Sequence, residues 1–174
     1  MLKIFGALLI CVSSTLIGVE LVREMRQRVQ ALKEIKKMLL LIRGEIQFAA
    51  TGLTDLFLEM GGKMEHPLDE LACQVGRKLS EQDGTSFAQV WEAEFCDGLR
   101  KQVTALTKED IQCLEGIGEL SGTPDRAMQL GTIDLYLERL EPRIQEAADA
   151  VISKAKMYHC VGAMCGVLLV LLLI

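Results

Sequence analysis

Two long apolar runs, one near each end, constrain this chain more than any other feature. Residues 4–22 read IFGALLICVSSTLIGVELV, nineteen residues whose one charge, Glu20, falls near the close. Residues 158–174 read YHCVGAMCGVLLVLLLI, seventeen residues without Asp, Glu, Lys or Arg. At about 1.5 Å of rise per residue, both come close to crossing the ~30 Å hydrocarbon layer of a bilayer. Each is expected to form a transmembrane helix, with residues 23–157 as the domain between them.

Charge orients this arrangement. Eighteen of the nineteen Lys and Arg and twenty-three of the twenty-four Asp and Glu lie between Arg23 and Met157, so that segment carries a formal charge of −5. The first run could also be read as a cleaved signal peptide, with Lys3 ahead of it and Ser13, Ser14 and Thr15 as small residues. A lipoprotein signal at Cys11 would place the bulky Ile10 before the cysteine. Only Lys3 precedes the run, whereas Arg23, Arg26, Arg28, Lys33, Lys36, Lys37 and Arg43 follow it. Basic flanks stay in the cytoplasm, which favours a retained anchor, both termini outside and a cytoplasmic middle.

Between the runs the apolar residues recur at helical spacing. Val29, Leu32, Ile35, Leu39, Ile42 and Ile46 form one stripe, with no Pro or Gly before Gly44, so the first helix is expected to run straight on from the apolar segment. A short helix over 53–60 ends at Gly61-Gly62. Pro67 opens another helix, with Leu68, Leu71, Ala72, Val75 and Leu79 on one face. Ser86 and Gln89 have the spacing of a capping box, ahead of Phe87, Val90, Trp91 and Leu99. Thr107 caps the next helix, with Leu106 and Ile111 placed as a hydrophobic staple. Ile111, Leu114, Ile117 and Leu120 line that helix, and Gly122 ends it. Thr123-Pro124 starts the last helix, lined by Leu137, Leu140, Ile144, Ala147, Val151 and Ala155, in which Pro142 should cause a kink or break. The expectation is an all-α fold: a bundle of about six helices between N- and C-terminal transmembrane helices.

Several classes of function lack their residues. A net-negative domain with five Phe, two Tyr and one Trp offers neither the basic stripe nor the stacking platform that nucleic acid requires. Six scattered cysteines (Cys11, Cys73, Cys96, Cys113, Cys160 and Cys165) form no CxxC, and His66 and His159 are the only histidines. No metal centre follows from that set, and free thiols in a reducing compartment are the simplest reading. Neither a phosphate-binding GxxxxGK[ST] loop nor a GxSxG or HExxH motif occurs. No cofactor and no enzymatic activity are expected.

Two sets of residues remain as candidates. The acids Glu92, Glu94 and Asp97 with Glu109, Asp110, Glu115 and Glu119, the last four leading, could form an acidic docking face for a basic partner, although acids on helices often serve only solubility. Ser14 and Gly18 in the first apolar run, and Gly162 and Gly166 in the second, are small residues one turn apart. They suit either packing of the two anchors on each other or homo-oligomerisation. Trp91 reads as core.

The order of these features resembles the stage III sporulation protein AB family of endospore-forming bacteria. The resemblance is carried by the basic exit RQRVQALKEIKKMLLLIRGEI (26–46), the tryptophan in VWEAEF (90–95), and SGTPDRAMQLGTIDLYLERL (121–140). It continues through EAADAVISKAKMY (146–158) into the tail with Gly162 and Gly166. It covers essentially the whole chain, which departs from the family pattern at Gly52, at Thr123-Pro124 and at Pro142. The resemblance implies a place in the mother-cell membrane facing the forespore, and a likeness to the platform proteins of type II secretion and type IV pilus systems. It also implies partners: other stage III sporulation membrane proteins and a secretion-type ATPase, stage III sporulation protein AA. The competing reading is a membrane-anchored regulator whose helical domain binds a soluble partner.

Overall fold

The structure is a computed structural model that describes the backbone of residues 2–48, 52–81, 84–122 and 125–173, with most side chains between residues 16 and 157. Seven α-helices occur in order: α1 (Leu2–Phe48), α2 (Leu53–Met60), α3 (Leu68–Ser80), α4 (Phe87–Val90), α5 (Asp97–Gln102), α6 (Lys108–Glu115) and α7 (Arg126–Leu173). A π turn over Trp91–Cys96 joins α4 to α5, and a 3-10 turn over Gly116–Gly122 extends α6. With 87–102 and 108–122 each counted once, the described residues hold six helices and no strand, as the periodicity predicts. By contacts the chain divides into two compact units, Gln30–Ile144 and the paired segments Met1–Val29 with Gln145–Ile174.

The larger unit is built on the expected stripes. Leu32, Ile35, Leu39 and Ile42 of α1 are buried, and α1 continues without interruption through Gly44. Leu68, Leu71, Ala72 and Val75 bury one face of α3, which packs on α2. Phe57, Phe87, Trp91 and Phe95 form an aromatic cluster, with ring centroids 5.7–6.0 Å apart among the first three. Trp91 and Phe95 stack at 4.2 Å with planes 17° apart. The π turn explains the stack: its wider i→i+5 loop brings residues four apart almost into line. Trp91 is fully buried, and its indole N–H donates to the Leu114 carbonyl at 2.9 Å, so its polar edge is satisfied as burial demands.

Inside this unit α1 and α7 run antiparallel. Lys36 pairs with Glu141, and Arg43 Nε donates to Asp134 Oδ1 at 2.6 Å, so seven residues up one helix match seven down the other. Pro142 does not break α7, which corrects the break that the sequence allowed as one of two outcomes. Proline leaves the Glu138 carbonyl without its helical donor, but Glu138 and Pro142 are both exposed, where water can satisfy that oxygen. Buried Leu140 and Ile144 on either side hold the helix in place.

In the smaller unit, residues 2–29 of α1 and 145–173 of α7 are helical. Val22, Gly18 and Ala147 are buried there, while Leu16, Ile17, Val19, Leu21, Ile152, Met157 and Met164 are exposed. Among the described residues no helix is long and apolar enough to cross a membrane. Most side chains of the spans expected at 4–22 and 158–174 lie outside the described residues, so the flanking transmembrane helices find no support there.

Candidate partner-docking surface

The acidic candidates stand on α6 and the 3-10 turn that follows it. Thr107 starts this stretch in extended conformation (φ −79°, ψ 163°), and its hydroxyl accepts from the Asp110 N–H at 3.2 Å. Asp110 returns the bond: its carboxylate accepts from the Thr107 N–H at 3.0 Å, completing a capping box. Leu106 and Ile111 are both buried, as the staple requires.

The capping box redirects Asp110, which at 1% exposure is buried and receives Arg143 Nη1 at 3.3 Å from α7. It ties two helices together and presents no free carboxylate, so it does not belong to an acidic outer face. Glu109 beside it is exposed, and hydrogen bonds from its own backbone N–H and the Thr107 hydroxyl hold its carboxyl below the usual range. Glu115 is half-buried and paired with Arg100, whose guanidinium also binds Glu92 and Asp97. One cation holding three carboxylates leaves a local excess of negative charge while fixing its geometry. Sequence spacing does not reveal this cluster, because Arg100 meets Glu92 across the π turn and Glu115 from another helix.

Glu119 is exposed on the 3-10 turn, at the edge of an open groove of about 670 Å³ lined by Leu53, Leu79, Phe87, Ala88 and Gly118. The turn lies close against α4: a Cβ at Gly118 would stand 2.8 Å from the Ala88 Cα, so only glycine fits. Glu115 edges a different depression of about 330 Å³, with Arg100 and Lys108. The four candidates therefore divide: Glu109 and Glu119 face solvent, Glu115 is held by Arg100, and Asp110 turns inward. Of the small-residue candidates, Gly18 is buried in the smaller unit, whereas the side-chain positions of Ser14, Gly162 and Gly166 lie outside the described residues.

Three free cysteines are described. Cys73 and Cys113 are partly exposed, while Cys96 is buried on the π turn. Burial, with Glu92 nearby, pushes the Cys96 thiol up to about 12. Among the described residues no cluster of three or more His, Cys, Asp or Glu is placed to hold a metal ion.

Comparison with known proteins agrees with the helical architecture. The chain is 28% identical over 175 residues to stage III sporulation protein AB of Bacillus subtilis (strain 168), covering 99% of both. A solved structure of stage III sporulation protein AB (SpoIIIAB) superposes with a TM-score of 0.63 at 23% identity, over 72% of this chain and 97% of that one. That likeness establishes the fold. Residues 3–174 match the family described as stage III sporulation protein AB, and the chain belongs to that family.

Proposed function

We propose that this chain is a membrane-anchored structural subunit of a secretion-like complex used in endospore formation. In this reading residues 4–22 and 158–174 cross the mother-cell membrane facing the forespore, both termini lie outside, and residues 23–157 dock a cytoplasmic secretion-type ATPase beside other stage III sporulation membrane proteins. The observation that carries the reading is the apolar exterior of the smaller unit. Leu16, Ile17, Val19, Leu21, Ile152, Met157 and Met164 all face outward, an arrangement that water penalises and lipid does not. The basic residues after Val22 supply the orientation. The docking face comprises Glu109 and Glu119 with the acids around Arg100, which would attract a basic partner over distances that salt shortens.

Two measurements test this. A membrane-impermeant thiol reagent should label Cys73, Cys96 and Cys113 only after permeabilisation and mild unfolding; labelling of these positions in intact cells overturns the topology. Binding of the full chain to the stage III sporulation protein AA ATPase should weaken in high salt and in the triple variant Glu109→Lys, Glu115→Lys, Glu119→Lys. Asp110 is left intact because its change would disturb the fold. An affinity indifferent to salt and to the triple variant refutes electrostatic docking.

A further inference from the structure

The outer side of the α1–α7 pair carries a pattern that its fold does not use. Leu40, Gly44 and Phe48 follow one another at four-residue steps on α1, on the side away from buried Leu32, Ile35, Leu39 and Ile42. Met128, Gly131 and Leu135, at steps of three and four, share one side of α7, away from buried Ile133 and Leu140. Phe48 is 82% and Met128 62% exposed, with Leu40 and Leu135 exposed as well. Apolar side chains of this size are not left in water by any need of the larger unit, whose core is closed without them.

The glycines sharpen the pattern. Gly44 and Gly131 lie inside helices, where glycine is a poorer residue than alanine. A Cβ at either position would meet nothing within 4 Å, so no contact inside the chain calls for a missing side chain. Both sit midway along their stripes, where a second helix could approach the backbone closely.

The two stripes also match in height. The pairs Lys36–Glu141 and Arg43–Asp134 set the register, and by it Leu40 lies within about half a turn of Leu135, Gly44 of Gly131, and Phe48 of Met128. One step further along, exposed Lys37, which reaches Glu34 at 3.4 Å on its own helix, lies at the level of exposed Glu138. Consider a two-fold axis parallel to the helices. It lays α1 of one copy on α7 of the other and keeps every level. Leu40 then meets Leu135, Gly44 meets Gly131, Phe48 meets Met128, and Lys37 meets a carboxylate of opposite charge at Glu138. An isologous contact must be complementary to itself in this way.

We propose that this outer face of α1 and α7 binds a second copy of the chain about such an axis, with Gly44 and Gly131 at the crossing. The strip is short, which makes the pairing weak and dependent on local concentration, as two-dimensional confinement would supply.

The test uses the full chain in detergent, with dimerisation followed by sedimentation. Gly44→Leu and Gly131→Leu fill open space in the single chain and block the crossing, so folding should persist while the dissociation constant rises about tenfold or more. Lys37→Glu and Glu138→Lys should each weaken pairing about threefold, and the double reversal should restore it. In isolated membranes treated with copper–phenanthroline as the oxidant, a tagged Leu40→Cys chain should form a disulfide with a differently tagged Leu135→Cys chain above the wild-type background, whereas a pair of Leu58→Cys chains should not. A chain monomeric at all concentrations, unchanged pairing in both glycine variants, or capture of some other protein by Leu135→Cys in place of a second copy would overturn the proposal.

Discussion

The two units of this molecule spend the same residue types in opposite ways. In Gln30–Ile144 the inward stripes are buried, with Leu39, Met38 and Leu71 at no exposure and Leu114 at 1%, and exposed apolar residues are confined to places such as the outer α1–α7 face. In the unit formed by Met1–Val29 and Gln145–Ile174, Leu16 is 62% exposed and Ile152 and Met164 are more so. Apolar content alone therefore does not say where a side chain goes. Periodicity does: in the larger unit apolar residues alternate with charged ones at helical spacing and have one inward face, whereas the terminal runs are apolar on every side and two helices cannot cover them. What surrounds the smaller unit must supply the rest of its burial, whereas the larger unit closes its own core.

The contrast can be broken by substitution, the readout throughout being denaturant unfolding of the full chain in detergent. Trp91→Ala should cost most, about 3–5 kcal/mol, because it empties the centre of the aromatic cluster and strands the Leu114 carbonyl. Leu39→Ala should cost about 2–4 kcal/mol, while the same change at Leu16 should move the curve by less than about 0.5 kcal/mol. Equal losses at Leu39 and Leu16 would erase the distinction between the units. Asp110→Ala should cost about 1–2 kcal/mol, as a lost cap and a lost partner for Arg143; Asp110→Asn, which keeps the cap acceptor, should cost less.

Asp134→Asn should have the smallest effect, near the limit of detection, because its pair with Arg43 is exposed. Its sign with pH is definite. The Arg43 guanidinium lowers the Asp134 carboxyl, so the contribution is present above the ordinary carboxylate range and fades as acid titrates the lowered group. A variant that loses stability relative to wild type on acidification would contradict that sign.

Local signals were legible and long-range ones were not. The boxes at Ser86 and Thr107, the staple of Leu106 and Ile111, and the stripes on α1 and α3 follow from residues within a turn or two of one another. Asp110 reads as one of several surface acids because its partner Arg143 stands thirty-three residues away on another helix. Its position three residues after Thr107 was a usable sign of the cap, but not of the inward turn of the carboxylate. The role of Arg100 is not legible for a similar reason, since its carboxylates come from α5, the π turn and α6. Pro142 does not end its helix, because the rule that proline breaks helices weakens where the freed carbonyl meets water and the flanking residues are packed. The candidate docking face was thus legible in its composition and not in its layout.

The π turn at Trp91–Cys96 has a consequence for phase. In an unbroken α-helix at about 100° per residue, Leu99 would point roughly 80° away from Trp91. The turn absorbs one residue's worth of rotation, so Leu99 comes back to within about 20° of Trp91 and all of Trp91, Phe95 and Leu99 are fully buried. The segment is in effect an α-helix carrying one residue more than its period allows. Shortening it by a single residue would leave the helix regular and still in frame on the core, whereas lengthening it by one would swing α5 and Arg100 off their present face. The tolerance of this helix to length change is therefore one-sided.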